Sequence, residues 1–290
     1  MPVRKAVILV AGHGTRFLPA TKAIPKEMLP LIDRPLIQYV VEEIVAAGID
    51  HIIMVTSGTK RAIEDHFDHA HSLESALAAK GDEQRLEEVV RLTEMVDISF
   101  VRQKEQRGVG HAVKAAEKAV GHEPFLLAFP DDIVDADVPL ARQLVDVYER
   151  YGSVVAVEEV PRGDIPSYGI VAGKEIASGI YHLDQLVEKP RIEEAPSNLG
   201  IVGRYVLGPQ IFEAIAETEP GASGEIQITD AMAKLALRGE MYACRFQGKR
   251  YDTGRPLGLL KASVEYALKR EDIGQEFRAY LRGLNLGGEA

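Results

Sequence analysis

The chain has 290 residues, 46% hydrophobic and 27% charged, which is enough apolar length for one large α/β core. A net charge of −10 argues against non-specific nucleic-acid binding, although a local cluster of Arg and Lys can still hold an anionic substrate. The single cysteine, Cys244, excludes an intrachain disulfide, and no apolar run reaches the length of a membrane span.

In chain order, the first apolar run covers residues 6–10, with Val7 to Val10 leading into a glycine turn at Gly12 and Gly14. Glycine has no Cβ, so the backbone can turn sharply there and approach a ligand. Amides exposed after a parallel strand suit phosphate oxygens, and Arg16, Lys22 and Lys26 follow to supply charge. A dinucleotide fingerprint would need a third glycine where Phe17 stands, and no Gly-Lys-Ser/Thr of a Walker loop follows. The start of the chain, basic and then apolar, is too short in its apolar run for a secretory leader.

Further strands are predicted at 51–56, 98–102, 125–129 and 154–158. Helical periodicity lies between them at 36–47, 60–67, 111–120 and 139–150. Gly48 reads as the end of the first helix, and Pro139 suits a first turn. The alternation predicts a Rossmann-like α/β fold: a mixed, mainly parallel sheet flanked by helices. Residues 72–95, with Leu73, Leu77, Leu86, Val89, Val90 and Leu92 as an apolar stripe, read as one inserted helical excursion. After Glu159 the strands shorten, to 169–172, 183–188 and 200–206, separated by Pro, Gly and Ser. Helices at 209–216 and 226–237, a strand at 242–246 and helices at 257–270 and 273–282 complete the chain, and 283–290 is expected to fray. The organisation expected is a single domain, 1–290, with a nucleotide-binding half to about 159, a smaller sugar-binding β region at about 160–256 and C-terminal helices beyond.

The segment VILVAGHGTRFLPATKAIPKEMLPL (7–31) resembles the signature of the sugar-1-phosphate nucleotidylyltransferases, and its TKAIPKEMLPL portion resembles the bacterial uridylyl branch. The resemblance continues through VRQKEQRGVGHAV, FPDD, PSYGIV, VEKP, APSNLGIVGRYVL, GEIQITDAM and YDTG, from about Lys5 to about Tyr266. It implies Mg²⁺-dependent transfer from UTP to glucose 1-phosphate, giving UDP-glucose and pyrophosphate. The dTTP-using thymidylyl branch is the near alternative. A non-catalytic nucleotide-sugar sensor is a distant one, because such a protein would be expected to lose Arg16, Lys26, Asp131 or Lys189.

The resemblance also implies site residues. Arg16 and Lys26 would meet the departing pyrophosphate and the α-phosphate, with Thr15 adding an amide or hydroxyl. Ala11, Gly12, Gln103 and Gly108 would contact the base or ribose, and Gln103 carries both a donor and an acceptor for a pyrimidine edge. Gly108 would let the backbone approach that base. Gly169 and Glu188 would contact the sugar, Lys189 its phosphate and Asn198 one or the other; if the strand continues that far, alternation puts Glu188 and Lys189 on opposite faces. Asp131 and Asp252 would bind the metal, Asp132 would support them, and Glu27 would orient Lys26. The attacking phosphate is already an anion, so no histidine is assigned as a base. After YDTG the branch carries a lysine and a tyrosine where this chain has Pro256 and Leu257, which makes Arg255 the replacement charge. The family context implies a cytoplasmic homo-oligomer, a dimer or a tetramer, with no membrane or nucleic-acid partner.

Overall fold

The computed structural model describes residues 1–221 and 224–285. The strands are β1 (Lys5–Leu9), β2 (Pro30–Leu31), β3 (Arg34–Pro35), β4 (His51–Thr56), β5 (Asp97–Arg102), β6 (Phe125–Ala128), β7 (Asp132–Asp135), β8 (Val154–Glu159), β9 (Gly169–Ala177), β10 (Ile180–Glu188), β11 (Leu199–Leu207), β12 (Tyr242–Arg245) and β13 (Lys249–Asp252). The helices are α1 (Leu36–Ala46), α2 (Arg61–Phe67), α3 (His71–Lys80), α4 (Glu83–Glu94), α5 (Val109–Ala115), α6 (Glu117–Val120), α7 (Leu140–Tyr151), α8 (Gln210–Ala216), α9 (Ile228–Leu237), α10 (Pro256–Lys269) and α11 (Gly274–Gly283).

Nine strands form one sheet in the order β5-β4-β1-β6-β11-β8-β12-β10-β9. The run β5-β4-β1-β6 is parallel, and β11 enters antiparallel beside β6. Successive side chains of a strand point to opposite faces, so a sheet covered on both sides needs strands that are apolar throughout. Ala6 and Ile8 of β1 enter one core with α1, α7 and α10, while Val7 enters the other with α5, α8 and α9. Strand β4 divides in the same way: Ile52 and Met54 face one core, Ile53 and Val55 the other. At the far end β9 pairs with both β10 and β11, through Leu199↔Val171 and Gly200↔Ile170, so that end of the sheet curls back on itself. A separate antiparallel ribbon joins β7 to β13, with Asp132 opposite Asp252.

The mixed, mainly parallel sheet is as the sequence implies, and three local expectations change. The excursion at 72–95 is two helices, because Gly81 adopts φ 69° and ends α3, after which the Asp82 side chain accepts from the Arg85 N–H and starts α4. The stretch 111–120 likewise splits into α5 and α6. Strands β9 and β10 extend to a turn at Ala177–Ile180, beyond the predicted 169–172 and 183–188. The outer residues of β9 are exposed and Ile180, Tyr181 and His182 of β10 only half-buried, so burial imposes little of the apolar alternation that marks a strand in sequence. Gly48 (φ 87°) follows α1 as expected. Of the end expected to fray, Gly283 still belongs to α11, and 286–290 lie outside the described residues.

Candidate active site

The glycine loop leaves β1 at the carboxyl ends of the parallel strands, where open α/β sheets bind ligands. Two cavities adjoin there. One, of about 300 Å³, is lined by Ala11, Gly12, Lys26, Gln103, Gly108 and Asp131 among others. The other, of about 260 Å³, is lined by Arg16, Asp131, Gly169, Glu188, Lys189 and Asp252 among others. Asp131, Phe129 and Val109 belong to both walls, so the carboxylate of Asp131 stands where the two spaces meet. Gly14, Thr15 and Asn198 line neither cavity. Gly14 has φ 68° and packs on the stem of Lys26, where a Cβ would come within 2.9 Å, and Asn198 is exposed on the approach to β11.

The model of a family described as nucleotidyl transferase matches residues 5–269. The chain belongs to the nucleotidyl transferase family. It is 49% identical over 285 residues to a UTP–glucose-1-phosphate uridylyltransferase of Staphylococcus epidermidis, covering 98% of this chain and 99% of that one. A UTP-bound UGPase from Acinetobacter baumannii superposes with TM-score 0.90 at 40% identity, covering 97% and 99% of the two chains. A UDP-glucose pyrophosphorylase complexed with UDP-glucose matches with TM-score 0.85 at 42% identity, over 92% of this chain and 100% of that one. A putative glucose-1-phosphate thymidylyltransferase from Bacillus anthracis, at 23% identity and TM-score 0.68, shares the fold.

In this nucleotidyl transferase the two aspartate motifs are brought together by the β7–β13 ribbon and by Thr253. The Thr253 N–H and hydroxyl both donate to the carbonyl of Asp131, at 2.8 and 2.9 Å. Gly254 lies in the angle between the carboxylates: a Cβ there would come within 2.7 Å of Asp131 Oδ2 and 3.1 Å of Asp252 Oδ1. A cradle that only glycine leaves open, with two carboxylates facing it, fits a hard divalent cation with oxygen ligands. No His or Cys is among the described residues lining either cavity, which fits the same class.

Asp131 and Asp132 are neighbours with different surroundings. Lys26 Nζ donates to Asp131 Oδ2 at 2.6 Å. Burial opposes ionisation of Asp131, but Lys26 and then Arg16 outweigh it, and the carboxyl is held below the usual carboxylate range. Burial likewise pulls on the Lys26 ammonium, and Asp131 more than offsets it, so its pKa is raised. Asp132 instead accepts from Arg250 Nη1 at 2.7 Å and from the Gly203 N–H at 3.0 Å. Burial pushes its carboxyl up against the pull of Arg250.

Several residues that sequence reasoning left out do the holding. Arg250 is buried and spans Glu158 at 2.8 Å, Asp132 at 2.7 Å and the Tyr168 hydroxyl at 2.7 Å. Arg204, with no exposed surface, pairs with Glu43 at 2.9 Å and donates to the carbonyls of Phe129, Gly203 and Asp132. Thr229, within the quoted GEIQITDAM, donates to Glu188 Oε2 at 2.8 Å. Gln106 donates to the carbonyl of Ala11 at 2.8 Å and lines the cavity beside the glycine loop next to Gln103. A lone arginine or threonine in a strand carries no local signal of these partners; the GKRYDTG run around Arg250 is the nearest hint.

Two expectations are corrected. Glu27 does not reach Lys26: its Oε2 accepts from the buried Lys60 Nζ at 2.8 Å, because the turn at Lys26–Met28 directs Glu27 inward. Glu188 and Lys189 are not on opposite faces. The strand ends at Glu188, Lys189 turns to φ 45°, and Lys189 Nζ lies 3.1 Å from Glu188 Oε1. Gly108 lines the first cavity as expected for a base contact, and its φ of 95° and the Ile226 carbonyl, which a Cβ would meet at 2.7 Å, give its own chain a second need for glycine there. Arg255 does line the second cavity, with Nε 3.4 Å from Asp252 Oδ2, whereas Pro256 opens α10 and Leu257 is exposed.

Proposed function

We propose that this chain transfers a uridylyl group from UTP to glucose 1-phosphate, giving UDP-glucose and pyrophosphate. A phosphate oxygen of the sugar phosphate attacks the α-phosphorus in line, a new P–O bond forms, and the bond to the β-phosphate oxygen breaks. The nucleophile is already ionised, so no proton has to be removed, and the obstacle is repulsion between two anions. The observation that carries this reading is the shared wall: Asp131 borders a cavity beside the glycine loop and a cavity beside β10, so two substrates can meet at one carboxylate. Near full-length similarity to uridylyltransferases favours UTP over dTTP.

The residue roles follow as part of the same proposal. Uracil and ribose lie against Ala11, Gly12, Gln103 and Gly108, with the Gln103 amide reading the base edge. Gly14 keeps the loop folded over Lys26, and Thr15 and Arg16 meet the departing pyrophosphate. Lys26 exchanges its hold on Asp131 for the α-phosphate. Gly169 and Glu188 bind sugar hydroxyls, with Thr229 orienting Glu188. Lys189 neutralises the sugar phosphate at an exposed position reachable from solvent, and Asn198 stands beyond it at the rim. Asp131 and Asp252 hold Mg²⁺, which when bound neutralises phosphate charge. Residues 1–159 form the nucleotide half, about 160–256 the sugar half, and the C-terminal helices expose Leu257, Leu260 and Tyr280 as a face for a second subunit in a cytoplasmic homo-oligomer.

Product analysis by mass spectrometry tests the reading. With Mg²⁺ and glucose 1-phosphate, UTP is expected to yield UDP-glucose fastest among UTP, dTTP, ATP, CTP and GTP. Because uracil and thymine differ by one methyl, slower dTDP-glucose formation is expected too, at a discrimination of about 1–3 kcal/mol. A dTDP-glucose majority would move the chain to the thymidylyl branch, and no nucleotide sugar at all would overturn the reading.

A further inference from the structure

A second cluster of metal-ligating side chains stands outside both cavities. His69, His71 and Glu74 bring their ligand atoms within 4.8 Å of one another where α2 gives way to α3. None of the three lines either cavity. His71 opens α3 and Glu74 follows at i+3, so both side chains lie on one helical face. His69 precedes the helix, and the non-helical backbone of Ala70 (φ −104°, ψ 61°) brings its ring parallel to that of His71, with centroids 5.1 Å apart and planes 10° apart.

The carboxylate is presented to both rings. His69 Nδ1 lies 3.3 Å from Glu74 Oε1, and His71 Nδ1 lies 3.7 Å from Oε2. Its orientation is fixed from behind, since the Ala70 N–H donates to Oε1 at 2.8 Å, and the His69 N–H is held by Asp68 Oδ1 at 2.8 Å. Ligands bound at about 2.0–2.1 Å in a tetrahedron stand roughly 3.3 Å from each other. The histidine–carboxylate separations are therefore close to those of a coordinated set, but parallel rings cannot aim their in-plane lone pairs at one ion, so closing the set requires the solvent-exposed His71 ring to turn out of the stack. Two imidazoles and one carboxylate are borderline donors, unlike the all-carboxylate cradle at Gly254, and they select a different class of ion.

We propose that His69, His71 and Glu74 form a surface site for a divalent transition metal of the zinc type, separate from the Mg²⁺ cradle and pinning the turn between α2 and α3. The remaining coordination positions face solvent.

The test is Zn²⁺ titration of the full chain against a chromogenic chelator, in saturating Mg²⁺ so that hard-cation sites are filled. One saturable equivalent is expected. His71→Ala removes an exposed ring at no cost to the core, and Glu74→Gln keeps an acceptor for the Ala70 N–H; each should weaken Zn²⁺ binding by roughly tenfold or more. His122→Ala, an exposed histidine elsewhere, should leave it unchanged. Co²⁺ in place of Zn²⁺ should give visible absorption bands that disappear in His71→Ala. No saturable binding, or binding that survives His71→Ala and Glu74→Gln, would overturn the proposal. A loss of equal size in His122→Ala would do so too, by showing scattered surface binding.

Discussion

The cavity beside the glycine loop is lined by segments leaving parallel strands, whereas the cavity beside β10 is lined by strand ends tied to buried arginines. On the first side the chain offers backbone, glycine and amides, and its cation Lys26 has one partner, Asp131, that a ligand can replace. On the second side the charge behind the wall is fixed, with Arg250 holding Asp132 and Glu158 and Arg204 holding Glu43 and three carbonyls, while Lys189 stands exposed in front of it. The adjacent carboxylates of FPDD fall on either side of this division. Asp131 pairs with a lysine at the cavity wall, and Asp132 is enclosed by arginine. A buried, fully partnered charge is costly to disturb and so serves as scaffold, while a charge with a single replaceable partner can change partners as chemistry requires.

That contrast can be broken at its strongest point by Asp131→Asn. Turnover should fall by about 10²–10³-fold, the several kcal/mol that a bound cation contributes to the transition state, while circular dichroism and thermal unfolding stay close to the parent. Near-normal turnover in steady-state assays would remove Asp131 from the metal cradle. Arg250→Met should do the reverse. Leaving the enclosed Asp132 carboxylate without its cation should destabilise the fold by about 3–5 kcal/mol, read from the urea midpoint.

Smaller effects sharpen the division between the two substrates. Lys189→Ala should raise KM for glucose 1-phosphate by roughly tenfold, the worth of one charge-assisted contact, with KM for UTP changed less. Arg16 lines the same cavity as Lys189, but its proposed partner is the departing pyrophosphate, so Arg16→Ala should show the opposite pattern, and equal shifts in both constants would dissolve the distinction drawn between the two residues. Asn198→Ala, at an exposed site outside both cavities, should change either KM by less than about twofold, which corresponds to under about 0.5 kcal/mol.

Much of the nucleotide side was legible in the sequence because its determinants are local. A strand, a glycine turn and a run of cations are contiguous, and Ala11, Gly12, Lys26, Gln103 and Asp131 do meet around one space. The sugar side was legible only as motifs. Thr229 acts through Glu188, forty-one positions away in the chain, and Arg250 through Asp132, separated by 118, and neither partnership leaves a trace in periodicity or composition. Glu27 illustrates the limit from the other direction. Adjacency to Lys26 suggested a partner, but the tight turn that exposes Lys26 buries Glu27, and Lys60 waits there instead. The lengths of β9 and β10 escaped because the outer half of β9 is exposed and Ile180, Tyr181 and His182 of β10 are only half-buried, so alternation is weakly imposed there.

The ribbon β7–β13 sets how this enzyme tolerates changes in chain length. Asp132 and Asp252 are register partners on strands of only four residues each, and side chains alternate faces at every step. A single residue inserted within Lys249–Asp252 would turn Asp252 away from Asp131, leaving the nine-stranded sheet intact and the cradle dismantled. The turn at Gly81, where nothing lies within 4 Å of a would-be Cβ, has no such alignment to keep. Length variation among homologous chains should therefore be absent from the ribbon and free to accumulate between α3 and α4.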